Sequence, residues 1–132
     1  MSLLERVKKA KRVYVVGNGG SYANAGHIVN DLLNCGIRAY SLDPATLTAF
    51  ANDHGYENIF SRWLSVVGEP GDLLIALSGS GKSKNILNAC TVAKMKGMDV
   101  WEEFGFPHRG LDMQASEEEQ IKLGHDLMRG LK

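Results

Sequence analysis

Long hydrophobic runs are missing from this chain. Nothing approaches the ~18–20 consecutive apolar residues a membrane span needs, and the first residues hold no apolar signal-like stretch. A cytoplasmic protein without a membrane partner is the expectation. Cysteine is scarce. The two present, Cys35 and Cys90, fall in helical patterns without metal-ligand spacing. That excludes a disulfide-stapled scaffold and a thiolate zinc ribbon, and leaves two buried thiols in a reducing compartment. Net charge is absent as well: 15 Lys and Arg balance 15 Asp and Glu, so no overall field draws in nucleic acid or an anionic membrane surface. Repeats, low-complexity tracts and linker-like stretches are lacking too.

What remains is an ordinary globular composition, 44% apolar and 23% charged over 132 residues, enough for one domain (1–132) with a real core and not for two. Glycine matters most in two turns, Gly17-Asn18-Gly19-Gly20-Ser21 and Ser78-Gly79-Ser80-Gly81-Lys82-Ser83. Each follows an apolar run that reads as a buried strand, and each opens a helical pattern. Such a turn aims backbone N–H groups and the positive end of a helix at one spot, where phosphate binds.

Along the chain, Leu3–Lys11 reads as a short basic helix and Arg12–Val16 as the first strand. Ser21 reads as the cap of a helix running to about Leu33 and stopped at Gly36. Ile37–Leu42 alternates like a strand, ended by Pro44. Helical patterns follow over Pro44–Asn52 and Tyr56–Val67, then the strand Leu73–Leu77, the helix Ser83–Lys96 and a strand over Met98–Phe104. Gly105-Phe106-Pro107 interrupts the chain. Leu111–Ala115 predicts a short edge strand, and Ser116 with Glu119 a capping box opening a last helix to Leu131. This alternation predicts an α/β fold: a three-layer α/β/α sandwich around a central parallel sheet of four or five strands. Its ligand site should lie beyond the carboxyl ends of the strands.

Three phosphate-binding patterns compete. A dinucleotide fingerprint takes Gly17 and Gly19 with Asp43 as the ribose-binding acid, but its third glycine position holds Tyr22. A nucleotide-hydrolysing P-loop takes Ala76–Ser83, with Ala76 replacing the first glycine; Glu102 and Glu103, the acids available for magnesium, sit in an unusual strand. The third pattern uses both turns. Its segments are Gly17–Ser21, His27, Ala51-Asn52-Asp53-His54-Gly55, Ile59-Phe60-Ser61-Arg62, Gly71-Asp72-Leu73-Leu74, Leu77–Ser83 and Lys96-Gly97-Met98. On these segments Val13–Val100 resembles the sugar isomerase (SIS) domain family, and within it the phosphoheptose isomerase group, with a SIS-domain, flavodoxin-like fold.

The resemblance implies that Asn18, Gly19, Gly20 and Ser21 contact a sugar phosphate, that Asn52 and Asp53 bind its hydroxyls, and that Ser78, Gly79, Ser80 and Ser83 cradle the phosphate. His27 and Asp31, four residues apart, project from one helix face. In the group the corresponding pair is a histidine and a glutamate, and His125 matches a second histidine from the last helix. Glu117 stands where the group has a glutamine, with Gln120 as the alternative register. His27, Asp31, Glu117 and His125 would then hold zinc or another divalent metal, with no organic cofactor. Asp31 would be the base and His125 its acid–base partner in an aldose–ketose isomerisation of sedoheptulose 7-phosphate through an enediol. Glu117 would also touch substrate. Cys35 stands where the group carries an arginine, a charge Lys82 or Arg38 would replace. The resemblance further implies a homodimer or homotetramer. A non-catalytic SIS module that binds a phosphosugar or a protein partner is the alternative. His54 and His108 receive no role.

Overall fold

The computed structural model describes residues 1–103 and 113–132. The two continuous apolar runs become β1 (Val13–Val16) and β3 (Leu73–Leu77), buried along their whole length. They pair in parallel at the centre of the sheet, Val13 opposite Leu73 through Val16 opposite Ala76. A short β2 (Ala39–Tyr40) flanks β1, and β4 (Asp99–Glu103) flanks β3, giving a four-stranded parallel sheet in the order β2-β1-β3-β4. Continuous burial is what a parallel sheet covered on both faces demands of its central strands.

The helices are α1 (Leu3–Lys9), α2 (Gly20–Asn34), α3 (Pro44–His54), α4 (Ile59–Val67), α5 (Lys84–Met95) and α6 (Met113–Leu131). A 3₁₀ turn, Tyr56–Asn58, precedes α4. Strand alternation sorts the core into two layers. Tyr14, Val16, Leu74 and Ala76 pack on Ile59, Phe60 and Leu64 of α4 and Ile86, Ala89 and Ala93 of α5. Val13, Val15, Leu73, Ile75 and Leu77 face Leu3 and Val7 of α1, Ala25, Ile28 and Leu32 of α2, and Leu127 of α6. No helix among the described residues is long and apolar enough to cross a membrane.

Several expectations shift. Ser21 is not the cap of α2: Gly19 holds that position, and Ser21 is a buried helical residue. Met113–Ala115 are helical rather than strand, and Ser116 is a buried interior residue of α6. A Ser-x-x-Glu pattern looks the same inside a helix as at its start; here Ser116 is turned inward, beside Gly79 of the second turn. Phe104, Gly105-Phe106-Pro107, His108, and Leu111 with Asp112 lie outside the described residues.

Candidate active site

The strand order reverses direction between β1 and β3, and a crevice opens beyond the carboxyl ends of the strands at such a point. Both Gly/Ser turns sit there. Gly19 has a φ of +55°, a conformation L side chains rarely adopt, and no side chain caps α2 behind it. In the second turn Ser78 Oγ accepts from the Gly81 N–H at 3.0 Å and lies 3.5 Å from Ser83 Oγ. Ser80 Oγ accepts from the Lys82 N–H at 3.1 Å. Asn18, Gly19, Gly20 and Ser21 from the first turn and Ser78, Gly79, Ser80 and Ser83 from the second line one cavity of about 260 Å³. Met113 and Glu117 of α6 complete its wall. Hydroxyls and backbone N–H groups converging at two helix starts are the donors an anion cradle requires.

The same arrangement weakens the competing patterns. Ala76, the first position of the P-loop reading, is buried within β3 rather than in the turn. Tyr22 takes the third-glycine place and donates from its hydroxyl to the Leu42 carbonyl at 2.5 Å, so a bulky side chain stands where a dinucleotide fold requires close helix packing.

Further along α2 lies a second group. His27 Nε2 is 3.1 Å from His125 Nε2 and 3.4 Å from Asp31 Oδ2. One turn of helix places His27 above Asp31, and α6 supplies His125. The two helices meet closely because Gly124 offers no side chain: a Cβ there would stand 2.7 Å from Ile28 Cγ1. One turn earlier on both helices, Asn24 Nδ2 donates to Gln120 Oε1 and to the Glu117 carbonyl, each at 2.9 Å. These amides fix the register that carries His125 to His27.

Asp31 Oδ2 is buried and makes no hydrogen bond, while both histidines reach solvent. Three donor atoms, all within 4.8 Å of one another, are a metal-ligand set by chemistry. Ligands at 2.0–2.1 Å around a tetrahedral zinc stand roughly 3.3 Å apart, and the observed 3.1 and 3.4 Å fit that spacing. A set of three protein donors is what a zinc site with an open fourth position requires.

Glu117 stands outside this group. Its carboxylate lies against Gly20 at the start of α2, where a Cβ would overlap it. Eight residues of helix rise, about 12 Å, separate it from His125, and α6 runs along α2 instead of across the site. Asn52 and Asp53 are exposed on the last turns of α3, bonded to each other at 3.0 Å, and do not line the cavity. Lys82 and Arg38 are exposed and do not line it either. The Cys35 thiol points to the Met128 carbonyl at 3.9 Å, and His54 packs its ring on Phe50.

Sequence reasoning passed over Asn85 and Tyr56. Asn85, buried in the first turn of α5, exchanges two 2.8 Å hydrogen bonds with Asn18, whose Oδ1 also accepts from the Tyr56 hydroxyl at 2.9 Å. A polar residue on the otherwise apolar face of α5 was the available signal.

Residues 2–101 match the family model for the SIS domain. The chain is 38% identical over 106 residues to a phosphoheptose isomerase of Thiobacillus denitrificans, a match covering 74% of this chain and 54% of that protein. It is 44% identical over 96 residues to the phosphoheptose isomerase of Sulfurimonas denitrificans, covering 67% and 49%. The chain thus spans about half the length of the curated relatives it matches. Among solved structures, phosphoheptose isomerase GmhA from Neisseria gonorrhoeae superposes with a TM-score of 0.87 at 25% identity, over 98% of this chain and 80% of that one. The family model stops at Trp101, whereas the superposition takes in α6 and its histidine.

Proposed function

The chain belongs to the SIS domain family, and from that premise we propose that it is a sugar-phosphate isomerase. In this reading it interconverts sedoheptulose 7-phosphate and a heptose 7-phosphate through an enediol. The observation that carries the reading is the convergence of His27, Asp31 and His125 on the helix whose N-terminus forms half of the anion cradle. About seven residues of α2 separate Gly20 from His27, roughly 10 Å of rise. That span suits a phosphoester whose reacting carbons lie at the opposite end of an extended sugar chain. Relatives and a structural neighbour named phosphoheptose isomerase support the same substrate class.

The residues divide the work as follows. The cradle of Asn18–Ser21 and Ser78–Ser83 holds the phosphate and fixes the sugar's direction. Asp31 takes a proton from the carbon beside the carbonyl, and the enediol receives it back on the neighbouring carbon. His125 moves the accompanying proton between the two sugar oxygens. No net electrons are gained or lost. His27, Asp31 and His125 would hold a divalent metal of the zinc type, which when bound stabilises negative charge on the sugar oxygens. Asn52 and Asp53, exposed on α3, would meet sugar hydroxyls across a contact between copies. That role agrees with α3 holding no fully buried residue, only Leu47, Phe50 and Ala51 partly buried against the core, and makes a homodimer or homotetramer in the cytoplasm part of the proposal.

The test is incubation of the full chain with sedoheptulose 7-phosphate, with and without added zinc. Appearance of an aldoheptose phosphate that is lost in Asp31→Ala supports the reading. Binding without turnover turns it into a phosphosugar-binding module.

A further inference from the structure

We propose that Asn85 is a positioning residue of the anion cradle, locking the turn after β1 to the turn after β3 through Asn18. The inference rests on the phosphate-binding reading above. Asn85 is only 2% exposed, so its amide needs partners inside the protein. It finds both on one side chain: Asn85 Nδ2 donates to Asn18 Oδ1 and Asn18 Nδ2 donates to Asn85 Oδ1, each at 2.8 Å. The Tyr56 hydroxyl donates to the same Asn18 Oδ1 at 2.9 Å. The three side chains come from separate places, the first turn, the start of α5 and the 3₁₀ turn before α4, and meet on Asn18.

Two consequences follow. Asn18 Oδ1 already takes two donors and one Nδ2–H is used, so what Asn18 offers a ligand is a single N–H. It reads an oxygen with a lone pair, as a phosphate oxygen has, and not a hydroxyl proton. Asn18 also forms, with Gly19, the wall between the 260 Å³ cradle cavity and a neighbouring cavity of about 250 Å³ lined by Tyr22, Leu47, Thr48 and Tyr56. With Asn18 fixed, the cradle is preorganised, and a ligand does not have to order two loops against each other.

The experiment measures inorganic phosphate binding by calorimetry, KM and kcat for sedoheptulose 7-phosphate, and thermal melting. It uses the full chain and the variants Asn85→Ala, Asn18→Ala, their double, and Tyr56→Phe. Asn85→Ala is expected to weaken phosphate binding and raise KM about tenfold, with kcat changed less than about twofold. The double variant should bind no worse than the weaker single, since both remove one link. A folded Asn85→Ala with wild-type phosphate affinity overturns the proposal, as do additive losses. A purely structural role would lower the melting temperature and leave the phosphate affinity of the folded protein unmoved. If Asn85→Ala does not fold, Tyr56→Phe decides, because it removes one hydroxyl from a residue 53% exposed; about threefold weaker phosphate binding supports the link, and unchanged binding overturns it. Phosphate binding with coupled variants but no turnover of the sugar refutes the isomerase reading alone. A wild-type chain that binds no phosphate refutes both.

Discussion

His27 Nε2 and His125 Nε2 lie 3.1 Å apart, although 98 residues separate them in sequence. The two rings meet edge to face with centroids 5.3 Å apart, and a buried Asp31 carboxylate oxygen lies 3.4 Å from His27 Nε2. A divalent cation held by all three groups is the role proposed for them above. His27→Ala is therefore expected to lower zinc affinity by at least the 10–100-fold that loss of even an outer-shell partner costs. Equilibrium dialysis with metal analysis measures it, and retention of wild-type zinc affinity would remove the metal from the account.

Asp31→Asn keeps the size of the side chain and deletes its charge and basicity. Turnover of sedoheptulose 7-phosphate should fall by about 10²–10⁴-fold, the usual worth of a general base. Inorganic phosphate, held at the far end of α2, should bind as before. Loss of both together would indicate a folding defect instead, and the melting curve separates the cases.

Among the described residues, Glu117 places the one carboxylate in a cavity whose other polar lining is hydroxyls, an amide and backbone N–H groups. A like-charge contact at about 4 Å costs ~1 kcal/mol even in water, so Glu117→Gln is expected to tighten phosphate binding about fivefold at low salt. The gain should shrink as ionic strength rises. An affinity that falls on substitution would mean that the carboxylate helps hold the ligand.

How much of this was legible beforehand depends on the kind of signal. β3 is read to the residue because five apolar residues between Asp72 and Ser78 can only be a buried segment, and both turns follow from strand, glycine and helix in order. Neither the tilt of α6 nor the face it turns inward can be read from spacing. Glu117 and His125 both lie toward α2, but a helix running along its neighbour keeps them two turns apart. For the same reason Ser116 looked like a cap while it packs inside. Asn85 escaped because an asparagine in a first helical turn is common, and only the fold supplies its partner on Asn18.

Cys90 gives a pH signature on the other face of the sheet. Burial, with the charge of Glu102 second, pushes its thiol from 9.0 up to about 12. The folded state thus disfavours the thiolate that the unfolded chain forms freely. The stabilisation from this site is whole below pH 9 and is lost progressively as pH rises from about 9 toward 12. Urea midpoints of wild type and Cys90→Ala, followed across that window, should show the wild type losing ground. Parallel slopes would contradict it.

Gly124 tests the packing on which the whole site depends. A methyl group at this position would meet Ile28 Cγ1 at 2.7 Å, too near for either helix to stay where it is. Gly124→Ala is expected to cost about 1–3 kcal/mol as overpacking. The shift falls on α6 one residue from His125, so zinc affinity and turnover should drop with stability. Leu64→Ala supplies the control: Leu64 is fully buried on the opposite face of the sheet, and its truncation should cost about 2–5 kcal/mol while leaving zinc affinity intact. Should Gly124→Ala lose stability yet bind zinc like the wild type, the close approach of α2 and α6 would not be what brings the two histidines together.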